Sequence, residues 1–270
     1  MLKKPEKFSK FDDTKQGGVL VIDSGLGSLS LVKEIQKILP QTSITAVADN
    51  EEFPYGLKLE QEIIDRVLDL AKIFVPIVKP KTILIACNTA STVVLPILRD
   101  QFKIPVVGIV PAIKPAAEYS SSRKIALLAT PGTVKRAYVD SLIKDFASDC
   151  EIIRVGTSGL VDLAERKALG EDVCSSLIAA ELDSLIQHSN YSKVDSLILG
   201  CTHFSFLHQD IESLIFGGIR IFDPAGAVAQ QVARVHVGSS ASPVNTLIFT
   251  KEFSRTIIRF PLCVEEIFYL

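Results

Sequence analysis

No segment of this sequence is apolar over the roughly 20 residues that a membrane-spanning helix needs. The longest apolar run, Ile104 to Ile113, is far shorter and contains two prolines. There is also no excess of either charge, because 29 Lys and Arg residues balance 31 Asp and Glu residues. Without a net field the chain is not expected to bind nucleic acid or a membrane surface, which leaves a small polar ligand open.

Signals for secretion and disulfide formation are missing as well. The segment from Met1 to Gln16 is rich in lysine and has no apolar core of the secretory kind, so we interpret it as a loosely docked N-terminal extension. The cysteines are widely spaced and form no CxxC pair, which predicts free thiols and a cytoplasmic location. They are Cys87, Cys150, Cys174, Cys201 and Cys263.

Motifs for nucleotide and metal chemistry are not found either. The segment from Asp23 to Gly27 resembles the start of a dinucleotide fingerprint, but its third glycine would fall at Ser30, and an acid stands where pyrophosphate would approach. The sequence has no phosphate-binding loop, no HExxH and no His/Cys set with metal spacing. The sequence therefore favours neither nucleotide nor metal chemistry. Asp23 could instead cap the turn, bind an ammonium group or orient a neighbouring acid or base.

What the sequence does contain is an alternation of short β-branched runs with amphipathic stretches, which predicts an α/β fold with parallel strands. The predicted strands are Val19–Asp23, Ser43–Ala48, Thr82–Ala86, Val106–Ile109, Lys124–Ala129, Cys150–Val155, Ser196–Leu199 and Arg220–Phe222. The predicted helices are Ser28–Leu39, Glu60–Val78, Thr92–Phe102, Thr133–Phe146, Gly159–Leu169, Asp172–His188 and Phe206–Phe216. Pro76 and Pro96 lie within two of them and predict a kink or an early end.

Two segments about half a chain apart repeat one pattern. In Lys81–Ala90 and again in Asp195–Phe204, a cysteine follows an apolar strand and precedes two polar residues and a helical stretch. This repeat predicts two similar halves. Because ligands bind at the carboxyl ends of parallel strands, Cys87 and Cys201 would then face each other across one cleft.

A facing pair of thiols suits the inversion of an α-carbon. Inversion removes a weakly acidic proton from one face and delivers another to the opposite face, which a thiolate and a thiol on opposite walls can do together. A helix start after each cysteine would stabilise the thiolate. Equally, cysteine is often buried, and two strand-end cysteines could fill the core instead. His203, close behind Cys201, could be structural or functional.

Taken together, the motifs resemble those of the glutamate racemases in the aspartate/glutamate racemase superfamily. The resemblance runs from about Gly18 to Val232 and depends most on CNTA at Cys87 followed by GCTH at Gly200. The further matching segments are Asp23–Gly25, Phe53–Gly56, Val110–Ala117 and Gly132–Lys135.

The resemblance implies two pseudo-symmetric open parallel-sheet domains with the active site in the cleft between them. Residues 17–110 together with 219–270 would form the first domain, and residues 111–218 the second. It also implies a cofactor-independent enzyme that interconverts L- and D-glutamate and so supplies D-glutamate for peptidoglycan.

Residue roles are implied by position. Cys87 and Cys201 would be the paired acid and base, Asp23 would assist Cys87, and His203 with Glu165 would assist Cys201. The implied substrate contacts are Asp23, Ser24, Pro54, Tyr55, Gly56, Asn88, Thr89, Thr130, Thr133, Thr202 and His203.

The sequence departs from the family pattern in two places. Ser205 stands where a proline is usual, and the segment from Asp223 to Gly226 replaces a common Asp-Ser-Gly. The N-terminal extension and Val110–Ala117 resemble a branch of the family that UDP-N-acetylmuramoyl-alanine activates, which makes this precursor a candidate partner. We expect a monomer or a homodimer.

Three alternatives stay open on the sequence alone. The enzyme could act on aspartate or another amino acid, because the fit of a distal carboxylate is not readable from residue order. The chain could also be a non-catalytic two-domain binding protein, which would leave the paired thiols unexplained. A redox role for the cysteines is weakened by the missing CxxC pair.

Overall fold

The computed structural model describes residues 17–215, 217–238, 242–252, 264 and 266–269. The N-terminal extension and Cys263 lie outside these residues. No helix in the described ranges combines the length and the apolar character needed to cross a bilayer.

All strands within the described residues belong to two parallel sheets. The strands are β1 (Val19–Asp23), β2 (Ile44–Ala48), β3 (Thr82–Ile85), β4 (Val106–Gly108), β5 (Lys124–Ala129), β6 (Glu151–Gly156), β7 (Ser196–Gly200), β8 (Arg220–Phe222), β9 (Asn245–Phe249) and β10 (Glu266–Tyr269). The first sheet has the order β10-β9-β2-β1-β3-β4, and the second has the order β6-β5-β7-β8. Every strand pair in both sheets is parallel.

The two sheets share one topology. The order β2-β1-β3-β4 in the first corresponds to β6-β5-β7-β8 in the second, so β3 and β7 occupy equivalent places. Cys87 follows β3 and Cys201 follows β7. The α/β fold with two similar parallel-sheet halves, predicted from the repeat, is confirmed.

Helices connect the strands and cover both sheets. They are α1 (Ser28–Ile38), α2 (Glu60–Val78), α3 (Asn88–Gln101), α4 (Ile113–Tyr119), α5 (Pro131–Val134), α6 (Ala137–Phe146), α7 (Gly159–Ala168), α8 (Ser175–Ile186), α9 (His208–Leu214) and α10 (Ala225–Val235). Short 3₁₀-helices span Tyr55–Leu57, Tyr191–Lys193 and Thr202–Leu207.

The alternation of side chains along β1 explains how both faces of the first sheet are covered. Leu20 and Ile22 pack into a cluster with α2 and α3, whereas Val19 and Val21 pack into a cluster with α1 and α10. All four side chains are almost fully buried, and burying a branched aliphatic side chain contributes roughly 1.5–3 kcal/mol. The carboxyl edge of the sheet is thereby held on a rigid base.

Several predicted helices differ from the observed ones. The helix predicted over Thr133–Phe146 is divided into α5 and α6, because Arg136 has an extended backbone. The early end predicted at Pro96 is wrong, since α3 continues to Gln101. Leu95 and Leu98, on either side of this proline, are buried in the core, and this packing offsets the lost hydrogen bond. The helices predicted over Asp172–His188 and Phe206–Phe216 are shorter in the structure.

Strand β8 departs from the predicted division of the chain. The boundary at residue 219 assigned Arg220–Phe222 to the first domain, but β8 hydrogen-bonds to β7 in the second sheet. By strand pairing, the chain therefore returns to the first sheet only after Phe222. The domain limits as such stay a prediction.

Candidate active site

Both cysteines of the repeat lie at the carboxyl ends of equivalent strands and are buried. Cys87 is the N-cap residue of α3, and Cys201 precedes the 3₁₀-helix Thr202–Leu207. Their exposed fractions are 6% and 7%. The two thiols therefore occupy equivalent places in the two halves of the molecule.

Cys87 is surrounded by acceptors and hydroxyl groups. Its sulfur lies 3.9 Å from Ser24 Oγ, which in turn lies 3.4 Å from Asp23 Oδ1. Burial and, after it, the nearby charge of Asp23 raise the pKa of the Cys87 thiol well above its ordinary value, although the backbone N–H of Ala90 opposes the shift. Cys87 is therefore a neutral thiol in this arrangement.

Asp23 lies between the two cysteine sites. Its Oδ1 accepts a 2.7 Å hydrogen bond from the Ser24 backbone N–H, and its Oδ2 accepts one of 3.4 Å from Thr202 Oγ1. Burial raises the pKa of Asp23 to about 7, although the positive charge of His203 lowers it. A carboxyl group with this pKa can hold or release a proton at neutral pH.

Cys201 has a histidine and a carboxylate beside it. His203 Nδ1 is 3.8 Å from Cys201 Sγ, and His203 Nε2 donates a 2.7 Å hydrogen bond to Glu165. Burial lowers the pKa of His203, but hydrogen bonds with Cys201 and Glu165 outweigh it and raise this pKa well above its ordinary value. The cationic imidazolium form is thus favoured, and such a group stabilises a neighbouring thiolate.

Glu165 also joins the two halves of the molecule. Its carboxylate oxygens accept hydrogen bonds of 3.2 and 3.0 Å from the backbone N–H of Leu26, in the turn after β1. Glycine is required in this turn, because a Cβ at Gly27 would lie 2.6 Å from both His203 Nδ1 and Thr202 Oγ1. The Phe53 ring packs against the imidazole at a tilt, with ring centroids 5.5 Å apart. The turn therefore packs directly on the Cys201 site.

Three threonine hydroxyl groups meet where the two halves face each other. Thr89 Oγ1, at the start of α3, is 3.0 Å from Thr130 Oγ1 and 3.1 Å from Thr133 Oγ1, both in the second half. Gly56 packs against the same group, since a Cβ there would lie 2.7 Å from Thr130 Cβ. The predicted contacts Gly56, Thr89, Thr130 and Thr133 are thus brought together.

Asn88, between Cys87 and Thr89, is buried with an unused amide. Neither its nitrogen nor its oxygen finds a hydrogen-bond partner within the described part of the chain. Buried polar groups are normally paired, so this amide has both a donor and an acceptor to offer a polar ligand.

Pro54 is half-buried, and the hydroxyl of buried Tyr55 is hydrogen-bonded to Asp49.

Two contact residues were missed by the sequence reasoning. Phe53 lies in the matching segment Phe53–Gly56 but was not assigned a role, and Gly27 was noted only as part of an incomplete fingerprint. The signal that could have found Gly27 is its place in the tight turn between a buried strand and a helix.

Over the described ranges, no group of three or more His, Cys, Asp or Glu side chains is arranged to hold a metal ion.

Comparisons with known proteins agree with one another. The family description Asp/Glu/hydantoin racemase matches residues 19–232. The chain is 46% identical over 217 residues to the glutamate racemase of Shewanella woodyi, a match that covers 80% of each protein. It is 41% identical over 219 residues to that of Sodalis glossinidius, covering 81% of this chain and 75% of the relative.

Solved structures give the same result. Escherichia coli glutamate racemase, in complex with L-glutamate and the activator UDP-MurNAc-Ala, matches with a TM-score of 0.87 at 36% identity, covering 94% of this chain and 98% of that one. A glutamate racemase isoform from Bacillus anthracis matches with a TM-score of 0.77 at 25% identity, covering 89% of this chain and 91% of that one.

Proposed function

The chain belongs to the Asp/Glu/hydantoin racemase family, and from this premise we propose that it interconverts L- and D-glutamate by two-thiol acid/base catalysis. The observation that carries the proposal is the placement of Cys87 and Cys201 after equivalent strands of two similar sheets. The enzyme is an isomerase.

In the proposed reaction, the thiolate of one cysteine removes the α-proton of glutamate and the thiol of the other delivers a proton to the opposite face. The carbon–hydrogen bond that breaks is replaced by a new one, and no oxidant or reductant is needed. Each cysteine ends in the protonation state that the other had at the start, so the reverse direction uses the same groups with exchanged roles.

The surroundings of the two cysteines differ in charge. The raised pKa of Cys87 favours its thiol, whereas the imidazolium of His203 lies beside the sulfur of Cys201. Asp23, with a pKa of about 7, can exchange protons with Cys87 through Ser24 when the pair resets. Glu165 holds His203 in its charged form and correct orientation.

Hydroxyl and amide groups supply the proposed substrate contacts. Ser24 Oγ lies 3.9 Å from Cys87 Sγ, and Asn88 and Thr202 directly follow the two cysteines in the chain. The hydroxyl groups of Thr89, Thr130 and Thr133 join the two halves beside Gly56. Hydroxyl groups and backbone N–H groups at the helix start after Cys87 suit the two carboxylates of glutamate.

A chiral assay of single amino acids tests the substrate. Purified enzyme is incubated separately with L-glutamate, L-aspartate, L-glutamine and L-alanine, and the D-enantiomer is quantified by chiral chromatography. We expect D-glutamate at a rate at least tenfold above the other products. Faster racemisation of aspartate would replace the substrate assignment, and binding of glutamate without racemisation would indicate a non-catalytic binding protein.

A role in supplying D-glutamate for peptidoglycan in the bacterial cytoplasm extends this proposal. The similarity to the glutamate racemases of Shewanella woodyi and Sodalis glossinidius supports it. Expression of the chain should restore growth of a bacterial strain that requires added D-glutamate, and a Cys87→Ser variant should not. A lack of growth with the unmodified chain would contradict the role, and growth with Cys87→Ser would contradict the two-thiol mechanism.

UDP-N-acetylmuramoyl-alanine is the proposed activator, by analogy with the Escherichia coli complex. A cavity of about 500 Å³ lies beside Val110–Pro115, the link between the halves, and also contacts α6 and α10. Lys114 and Arg220 line it and can attract phosphates, while Phe146 and Phe222 offer aromatic surface. A ligand there would contact both halves at once.

Activity measured with and without the precursor tests this site. We expect the precursor to raise kcat/KM, and an Arg220→Ala variant to need about tenfold more of it, as for the loss of one charge-assisted contact. Arg154→Ala is the matched control, because Arg154 pairs with Asp140 on the surface. Equal activation of both variants would move the site elsewhere.

A further inference from the structure

Four polar residues form a buried network beside the candidate active site, which we call the Asp49 network: Asp49, Tyr55, Arg66 and Thr250. Asp49 follows β2 directly and is fully buried. Its Oδ2 accepts hydrogen bonds from Tyr55 Oη at 2.5 Å and Arg66 Nε at 2.7 Å. Its Oδ1 accepts hydrogen bonds from Arg66 Nη2 at 2.5 Å and Thr250 Oγ1 at 2.6 Å.

The network lies on the same sheet edge as the catalytic groups. Because the strands are ordered β9-β2-β1-β3, the residues at or just beyond their carboxyl ends form a row of Thr250, Asp49, Asp23 and Cys87. The backbone joins the row as well, since Asp49 N–H donates to Asp23 O at 2.8 Å and Thr250 N–H donates to Ala48 O at 3.2 Å. A displacement of Asp49 would therefore also shift the backbone of Asp23.

Tyr55 links the Asp49 network to the surroundings of Cys87. Its side chain is 1% exposed and belongs to the same buried cluster as Cys87. Burial and the charge of Asp49 raise the pKa of Tyr55 well above its ordinary value, so its hydroxyl stays protonated and donates to Asp49.

Residues next to Tyr55 contact both halves of the site. Phe53 packs against His203, and Gly56 packs against Thr130 and Gly132. One hydrogen bond from Tyr55 to Asp49 thus fixes a loop, Phe53–Gly56, that reaches the surroundings of both cysteines. Asp49 itself accepts hydrogen bonds from Nε and Nη2 of Arg66, so the residue that holds the loop is fixed in its own position.

The carboxylate of Asp49 is itself fully occupied. An ionised carboxylate has about four lone-pair sites, and here four donors use them. This leaves Asp49 with no free site for a substrate proton, unlike Asp23. Its contribution to the reaction must act through the groups that it holds.

We propose that Asp49 is a positioning residue, held by Arg66 and Thr250, which fixes Tyr55 and with it the Phe53–Gly56 loop in the geometry needed for glutamate racemisation. The proposal deepens the proposed function and rests on it. It assigns a role to Asp49, Arg66 and Thr250. Through Thr250, the segment that follows β9 then contributes to the geometry of the racemisation site.

Thr250 offers the mildest test, because valine has nearly the shape of threonine and removes only the hydroxyl. In Thr250→Val, Asp49 Oδ1 loses one donor. We expect kcat to fall about fivefold, which corresponds to one net hydrogen bond, with KM changed less than twofold. Thr250→Ser keeps the hydroxyl and should restore kcat to within twofold of wild type.

Thr246→Val is the matched control, on the strand that Thr250 directly follows. Thr246 is also buried, and its hydroxyl has no hydrogen-bond partner among the described residues. This variant should keep the kcat of wild type. If Thr250→Val lowers the denaturant midpoint but leaves kcat and KM unchanged, the network is structural only and the proposal is overturned.

A spectroscopic readout separates this proposal from the substrate assignment. Tyrosine labelled with carbon-13 at Cζ gives one signal per residue, and Tyr55→Phe identifies the signal of Tyr55. We expect Thr250→Val to shift this signal and Thr246→Val to leave it in place. An unshifted signal would overturn the network, whether or not wild type racemises glutamate. Absence of racemisation in wild type, with the shift present, would instead overturn the proposed function.

Discussion

Cys87 and Cys201 stand at equivalent strand ends, yet their surroundings differ in charge. Cys87 has the carboxyl group of Asp23 nearby and a raised pKa, whereas Cys201 has the imidazole of His203, whose pKa is also raised by its partners. The strand topology places both thiols at equivalent positions in the two sheets. The side chains beside them break that equivalence, because a carboxyl group lies near Cys87 and an imidazole lies near Cys201.

The comparison also shows how each half depends on the other. Glu165 supports His203 in the second half but is anchored by Leu26 N–H in the first. Thr202 belongs to the second half but donates to Asp23 in the first. Neither cysteine site is complete within its own sheet, which explains why two similar halves are needed in one chain.

The largest expected effect is the loss of either thiol. Cys87→Ser and Cys201→Ser should each lower kcat for racemisation by about 10⁴, because serine is far less acidic and each proton transfer contributes up to that factor. Chiral chromatography measures the racemisation, and circular dichroism checks the fold.

The two serine variants should differ in isotope exchange. Each retains one thiol and therefore should exchange the α-proton of only one enantiomer in deuterium oxide, and the two variants should prefer opposite enantiomers. Exchange of the same enantiomer by both would show that the thiols do not act on opposite faces. Cys174→Ser, at an exposed cysteine, should behave as wild type.

Removing the side chains that support each cysteine should distinguish the two cysteine sites further. His203→Asn loses the positive charge beside Cys201, and Asp23→Asn loses the titrating group near Cys87. We expect kcat/KM to fall about 10³-fold and about 10²-fold, respectively. Because enantiomers have equal free energies in water, kcat/KM must fall equally in both directions for each variant.

Isotope exchange again distinguishes these variants. His203→Asn should slow exchange of the same enantiomer as Cys201→Ser, and Asp23→Asn that of the same enantiomer as Cys87→Ser. If both variants affected the two enantiomers equally, the division into two differently supported thiols would be wrong.

The buried acid near Cys87 should also be visible in stability against pH. Burial raises the pKa of Asp23 from 3.8 to about 7, so the folded state holds a proton there that the unfolded state has released. This contribution to stability is present below about pH 4 and is lost as the pH rises through 7. Asp23→Asn cannot lose it.

Denaturant unfolding of both proteins from pH 4 to pH 7 measures the difference. Relative to wild type, Asp23→Asn should gain about 3 kcal/mol in free energy of unfolding over this range, because each unit of pKa shift is worth about 1.4 kcal/mol. Parallel curves for the two proteins would show that Asp23 is not held neutral by burial.

A smaller effect is expected where the turn after β1 touches the Cys201 site. In Gly27→Ala the new Cβ would press on His203 and Thr202, and overpacking of this kind costs about 1–3 kcal/mol. We expect kcat/KM to fall at least tenfold. In Gly226→Ala the new Cβ meets nothing within 4 Å, so kcat/KM should be unchanged. Equal activity of both variants would mean that the close contact of Gly27 with His203 and Thr202 is not needed for activity.

Much of the fold could be predicted because β1, β3 and β7, the strands that lead to the site, are buried along their whole length, and because short apolar runs mark the other strands as well. Val19–Asp23, Lys124–Ala129 and Arg220–Phe222 have the predicted bounds. Helices α4 and α10 were missed, since Val110–Ala117 contains prolines and Asp223–Gly226 read as a turn. Strands β9 and β10 were missed as well, because β9 pairs with the distant β2 and β10 joins the sheet through β9.

The candidate site divides in the same way. Cys87, Cys201 and Asp23 could be found from local patterns, since each directly follows or ends a strand. Glu165 came only from the family resemblance, because nothing in α7 marks one acid among its charged residues. Asp49 also ends a strand, but its importance depends on Arg66 and Thr250, which only the folded chain brings to it.

The isotope content of the first product tests the two-thiol mechanism most directly. Wild type is incubated with L-glutamate in deuterium oxide and quenched early, and mass spectra of the separated enantiomers are recorded. We predict that D-glutamate carries deuterium at the α-carbon from its first appearance, while unreacted L-glutamate keeps mostly protium. D-glutamate that retains the original protium would show that one group moves the proton between faces, and would contradict the mechanism.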